Sequence, residues 1–219
     1  WDSATGSYNA MAVPDPDTFF SEPGASPDTG TSIKLGSPYN RIELGDVAPG
    51  TDPFTISLCF KWDGLLPAWY QDNNNQAQII SSNIWGETGR WSMQIMRDTG
   101  DLRVFSEGYG GAILLDQVNT GQWYHVAITR SADAADNYKI YVNGDLKHTG
   151  TNAGAFSNSS KGVWLGRKTD LTNAYNGWID DVRFYDEAVS EEFINSELVP
   201  EPATLMLLGL GGLLIRRRK

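Results

Sequence analysis

Cysteine is almost absent from this chain. Its 219 residues include one, Cys59, which excludes an internal disulfide framework and leaves stability to a hydrophobic core. Histidine is nearly as scarce: only His125 and His148 could serve as an imidazole base. No Glu-x-Asp occurs anywhere, so the chain lacks the pattern in which a Glu and an Asp on alternate residues of one strand serve a glycosidase as acid and nucleophile. The nearest acidic pair, Asp180-Asp181, is adjacent, and strand alternation would send its side chains to opposite faces. A Ser-His-Asp or Cys-His arrangement would need Cys59 or an unmarked serine, and no motif points to one. These absences lead us to expect a protein that is not an enzyme. Cations are outnumbered too, 17 Lys and Arg against 27 Asp and Glu. Such acidity repels phosphate backbones and argues against nucleic acid as a partner, while clustered oxygen ligands suit calcium.

Long apolar runs are missing except at one place. Pro200-Glu201-Pro202 precedes thirteen mostly apolar residues, Ala203 to Ile215, and then Arg216-Arg217-Arg218-Lys219. Without the four cations and Glu201 of this tail, the net charge moves from −10 to about −13. The prolines fix φ and remove backbone donors, so the motif is expected to stay extended. As a helix the apolar run would be about 20 Å long against roughly 30 Å of hydrocarbon. It is marginal as a permanent span, and its basic end belongs on the cytoplasmic side. At the other end the chain opens at Trp1 with no basic or apolar signal region. Either a signal peptide has been removed or the sequence is a fragment of something longer.

Between the ends, residues 1–30 are rich in Pro, Asp, Ser and Gly and read as irregular chain laid over one edge of the following domain. From Thr31 short apolar runs alternate with turn residues. Strands are expected at 32–35, 41–44, 54–62, 78–82, 91–97, 102–106, 112–115, 123–130, 138–142, 146–149, 162–165 and 177–185. Asn143-Gly144 is the preferred pair for a tight hairpin in which both residues take φ > 0, and Asp98-Thr99-Gly100-Asp101 makes a similar turn. One short helix is expected over 190–197, capped by Ser190 with acids in its first turn. A dozen strands without helical repeats means an all-β sandwich. Alternation places Phe54, Ile56, Leu58 and Phe60 on one face, and Tyr124, Val126 and Ile128 on one face of theirs, as core.

Two resemblances follow. The order Pro-Glu-Pro, apolar segment, basic cluster resembles the PEP-CTERM sorting signal of exported proteins in Gram-negative bacteria that make extracellular polysaccharide. It implies export, transient membrane insertion through residues 203–215, and cleavage by an exosortase near Pro200-Glu201-Pro202. The order Phe54-Thr55-Ile56-Ser57-Leu58, Gly121-Gln122-Trp123-Tyr124-His125-Val126-Ala127, Ile140-Tyr141-Val142-Asn143-Gly144 and Tyr175-Asn176-Gly177-Trp178-Ile179-Asp180-Asp181-Val182-Arg183-Phe184-Tyr185 resembles the concanavalin A-like, LamG-like domain. That implies a jelly-roll sandwich of two antiparallel sheets, with Cys59 standing where many relatives carry Trp. The expected organisation is an irregular segment over 1–30, a LamG-like domain over 31–197 and the sorting signal over 198–219.

The resemblance also implies a calcium ion where the N-terminal chain meets the last strand. Asp180 would be its acidic ligand, completed by Glu22 and the carbonyl of Gly24, or by Asp28. The alternative is that Asp180 hydrogen-bonds a nearby turn. For sugars, the loop 64–75 joins Trp69 and Tyr70 to a run of Asp and Asn: aromatic faces stack on sugar C–H surfaces while amides and carboxylates bind hydroxyls. Trp85 and Tyr109 are the next candidates, and the competing expectation is that Trp69 and Trp85 fold back over the sandwich edge. The sequence thus suggests an exported, non-enzymatic module that binds a polysaccharide or cell-surface glycan. The alternatives are a structural matrix protein without a specific ligand and an accessory domain of a larger enzyme or adhesin.

Overall fold

Fourteen strands form two seven-stranded antiparallel sheets in the computed structural model, which describes residues 11–13, 19–25, 30–37, 39–66 and 75–199. The strands are β1 (Met11–Val13), β2 (Phe19–Pro23), β3 (Thr31–Leu35), β4 (Arg41–Gly45), β5 (Phe54–Trp62), β6 (Gln76–Ser82), β7 (Trp91–Met96), β8 (Asp101–Ser106), β9 (Gly111–Gln117), β10 (Trp123–Arg130), β11 (Tyr138–Val142), β12 (Asp145–Gly150), β13 (Val163–Leu165) and β14 (Gly177–Tyr185). One sheet has the order β1-β4-β13-β6-β7-β8-β9, the other β12-β11-β10-β5-β14-β3-β2. Each of the twelve expected strands has its counterpart.

The alternation in β5 sets the layers. Phe54, Ile56, Leu58, Phe60 and Trp62 point inward and join the main core with Val126 and Ile128 of β10 and Trp91, Met93 and Ile95 of β7. The outer face of the neighbouring strands β10 (Ala127) and β11 (Tyr141) is covered by a second, small cluster. Ile194 and Leu198 pack on Ala127 and Tyr141 there, with Tyr185, Val189 and Val199 at its margin. These residues belong to α1 (Glu191–Phe193) and the π-helical turn Ile194–Leu198 that continues it. Ser190 caps α1, its Oγ accepting from the Phe193 N–H at 3.1 Å. Asn143 and Gly144 both take positive φ, 51° and 84°, as a tight hairpin requires.

Two expectations need correction. Residues 1–30 are not irregular throughout: β1 adds an edge strand to one sheet beside β4, and β2 adds one to the other beside β3. The N-terminal chain therefore covers an edge of each sheet, which protects edges that would otherwise pair with other chains. The second correction concerns Asp180-Asp181. A bulge between Asp180 and Arg183 breaks the alternation, and Asp181 sits in it at φ 49°. Both carboxylates consequently act on Cys59, whose thiol is pushed far up by burial first and by Asp181 and Asp180 after it. Cys59 is buried and inert.

Candidate functional site

The sandwich has two ends, and one of them carries the Arg90–Glu107 ion pair together with Trp85 and Tyr109. Antiparallel pairing of β7 and β8 puts Trp91 opposite Ser106. Arg90 and Glu107, one residue beyond, extend that ladder through a Glu107 N–H to Arg90 carbonyl bond of 2.9 Å. Glu107 Oε1 accepts from Arg90 Nη2 at 3.0 Å, and Oε2 accepts from the Gly89 N–H at 2.6 Å. These bonds, the Arg90 guanidinium above all, hold the Glu107 carboxyl below its usual range. Glu87 acts from the other side of the same loop, accepting from the Ser160 N–H at 3.1 Å. The loop 83–90 is thus tied at two points.

Trp85 stands on this loop and is 82% exposed. The expectation that it folds back over the sandwich edge is overturned: among the described residues its ring partner is Arg90, with Cζ 5.2 Å from the ring centroid, and Arg90 also lies over Phe105. Tyr109 ends the 3-10 turn Glu107–Tyr109. Its ring meets Tyr138 and His148 at 6.0 and 5.0 Å, so it is half committed to packing. Beside the Arg90–Glu107 pair lies an open cleft of about 300 Å³ lined by Thr88, Gly89, Glu107, Gly108, Gly154, Ala155 and Ser157. Gly108 is required there, since a Cβ would overlap the backbone of Gly154. Asn152, fully buried, fixes the 151–157 loop by donating to Ser106 Oγ and accepting from the Gly154 N–H.

Trp85 and Tyr109 therefore share one end, joined through Arg90 and Glu107. Trp69, Tyr70 and Asp28 fall outside the described residues, as do Pro200, Glu201 and Pro202. The flanks of the Trp69 loop, residues 63–66 and 75, lie at the opposite end, beyond Trp62 of β5 and before Gln76 of β6. Sequence reasoning missed Glu107 and the 151–157 loop. The only signal was the glycine cluster Gly108-Tyr109-Gly110-Gly111 beside Glu107.

At the expected calcium corner, Asp180 Oδ2 accepts from the Ala25 N–H at 2.8 Å and Oδ1 from the Asp181 N–H at 2.9 Å. Glu22 is in β2, opposite Ser32, and the Gly24 N–H closes the turn onto the Gly30 carbonyl. Asp180 thus meets the N-terminal chain where expected, as a hydrogen-bonded clasp. Among the described residues no three His, Cys, Asp or Glu side chains converge on a common point. The described atoms offer an ion one carboxylate, and a complete shell would have to draw on Glu22 and on Asp28, which is not described.

One polar contact was unforeseen: Ser57 Oγ lies 2.8 Å from His125 Nε2. Both residues are buried, and His125 Nδ1 has no partner. Burial lowers the His125 pKa to about 4, so the ring is neutral near pH 7. A nucleophile and its base are in contact, yet without an orienting third group and without access.

A model of the concanavalin A-like lectin/glucanases superfamily matches residues 35–195. The chain belongs to that superfamily. A lectin-like sandwich of this kind is also what solved structures return. Domain 4 of AbnA, a GH43 extracellular arabinanase from Geobacillus stearothermophilus solved with arabinotriose, is 19% identical with a TM-score of 0.64, covering 90% of this chain and 91% of that one. The botulinum neurotoxin serotype D binding domain is 19% identical at 0.58, covering 86% and 45%. A candidate carbohydrate-binding protein from Bacteroides ovatus is 20% identical at 0.53, covering 72% and 45%. At these identities the likeness establishes the lectin-like fold. No curated protein matches the chain. The PEP-CTERM protein-sorting motif matches residues 198–219 and implies an exported protein held at a membrane before its tail is processed.

Proposed function

We propose that this lectin-like domain is a non-enzymatic glycan-binding module, exported in a Gram-negative bacterium and sorted by an exosortase to the cell surface or exopolysaccharide matrix. The observation that carries the reading is Trp85: an indole 82% exposed, with Arg90 against it and the Glu107 cleft beside it. An indole left so open can stack on the C–H surface of a pyranose or furanose. Thr88, Ser157 and the remaining lone pairs of Glu107 supply hydrogen bonds to hydroxyls. Tyr109 follows Gly108 of the cleft lining in the chain, and Tyr109, Trp69 and Tyr70 stay in the proposal as further contacts.

Catalysis is not part of this reading. Glu107, bonded to Arg90 and kept ionised, is unsuited to donate a proton. The Ser57–His125 pair is sealed from substrate. Calcium remains a proposal for the corner at Asp180, with Glu22, the Gly24 carbonyl and Asp28 as further ligands; there it would pin the N-terminal hairpin to β14.

Affinity electrophoresis through gels containing purified exopolysaccharide tests the function. A chain ending at Val199 is expected to be retarded, and its Trp85→Ala variant to run free. Equal mobility of a folded wild type with and without polysaccharide would favour a structural matrix protein.

A further inference from the structure

At the end of the sandwich opposite Trp85 the described residues expose large apolar side chains. Leu35, Gly177 and Trp62 pair side by side there, so the loops β3–β4, β5–β6 and β13–β14 all project from that end. Among their described residues each carries an exposed large hydrophobic: Tyr39 at 58%, Leu65 at 66% and Leu171 at 44%. These are three of the eight exposed large hydrophobics among the described residues. Single exposed hydrophobics are ordinary, whereas a group on one end marks a contact surface.

The chain leaves the fold toward this end. The terminal helical segment starts near the Trp85 end, where the Val189 N–H donates to Thr55 Oγ1 at 3.0 Å. It finishes beside the Asn143-Gly144 hairpin tip, where a Cβ on Gly144 would meet Val199. Leu198, within the match to the sorting motif, is 1% exposed and belongs to the small hydrophobic cluster. Only Pro200-Glu201-Pro202 then separate Val199 from the apolar run Ala203–Ile215. Three residues reach at most about 10 Å, while a nine-residue strand such as β5 spans roughly 30 Å. No helix among the described residues is long and apolar enough to cross a membrane.

We propose that the end bearing Tyr39, Leu65 and Leu171 rests on the lipid bilayer into which residues 203–215 insert, and that the Trp85 cleft is thereby held roughly 30 Å out from the membrane. The proposal rests on the membrane-held reading of the sorting signal. The tether is too short to let the sandwich stand away from the bilayer or turn its other end toward it. Of the cations at this end, Lys34 pairs with Asp63 and Lys168 with Asp170, so those two are not free to draw anionic lipid. Tyr39, with an apolar ring and a polar tip, suits the headgroup level.

The test uses the full chain in vesicles of phosphatidylethanolamine and phosphatidylglycerol. Nitroxide labels are placed through Leu65→Cys, Leu171→Cys and Trp85→Cys, with Tyr39→Cys as a further position; buried Cys59 stays unlabelled. On insertion, labels at 65 and 171 should collide several-fold more with oxygen and less with a water-soluble nickel chelate, while the label at 85 is unchanged. Water-like collisions at 65 and 171 in protein that floats with the vesicles would overturn the proposal. Protein that does not float would overturn the membrane-held reading, and this inference with it.

Discussion

Arg90 and Glu107 face each other one residue beyond the last pair of the β7–β8 ladder, their side chains 3.0 Å apart. The contact does more than pair two charges. It fastens the base of the loop carrying Trp85, since the same carboxylate also holds the Gly89 N–H.

Glu107→Gln should therefore separate function from stability. The ion pair lies near the surface, so its loss should cost under about 1 kcal/mol. Hydrogen exchange of residues 85–90 should accelerate and glycan affinity fall several-fold, with little change in Tm. A large loss of Tm without a change in binding would argue against a positioning role for Glu107.

His125 makes stability fall on acidification. Its folded pKa is lowered to about 4 from an ordinary 6.5, so between these values the unfolded chain binds the proton and the folded one resists it. Stability is fully present above pH 6.5 and is lost as pH falls toward 4, by up to about 3 kcal/mol. Urea melts of the wild type and His125→Gln at pH 7 and pH 4.5 check this, and the variant should show a flatter profile in that window.

Asp180→Asn should loosen the N-terminal hairpin. Asp180 Oδ2 accepts from Ala25 across 155 residues, and weakening this charged acceptor should cost about 1–2 kcal/mol. Limited proteolysis within residues 1–30 should speed up. If calcium occupies this corner, adding it should raise Tm in the wild type and not in the variant; equal responses would remove Asp180 from the ligand set.

Leu198→Ala should destabilise the small cluster by about 2–3 kcal/mol, because Leu198 is buried against Tyr141 and Ala127. Gly144→Ala should do comparable harm for another reason: φ is positive and a Cβ would overlap Asn195 Oδ1. Chemical denaturation of each variant provides the measurement.

The sequence disclosed the strands because their cause is local. Phe54, Ile56, Leu58 and Phe60 alternate within a single run, and Asn143-Gly144 names its own turn. Edge strands β1 and β2 were hidden, since Met11–Val13 and Phe19–Pro23 are short, stand among prolines and owe their pairing to β4 and β3. The bulge at Asp181 was hidden too, because alternation knows nothing of the β5 register. At the candidate site the indole of Trp85 was legible and its exposure was not. Glu107 is seventeen residues from Arg90 in sequence, and only the β7–β8 pairing joins them. Ser57 and His125 are likewise neighbours by register alone.

The most direct test of the glycan-binding account is isothermal titration of the chain ending at Val199 with fragments of purified exopolysaccharide, beside Trp85→Ala at matched Tm. Saturable binding that weakens at least tenfold, about 1.4 kcal/mol, in the variant is the predicted result. Equal binding by the two proteins, or none by either, would contradict it.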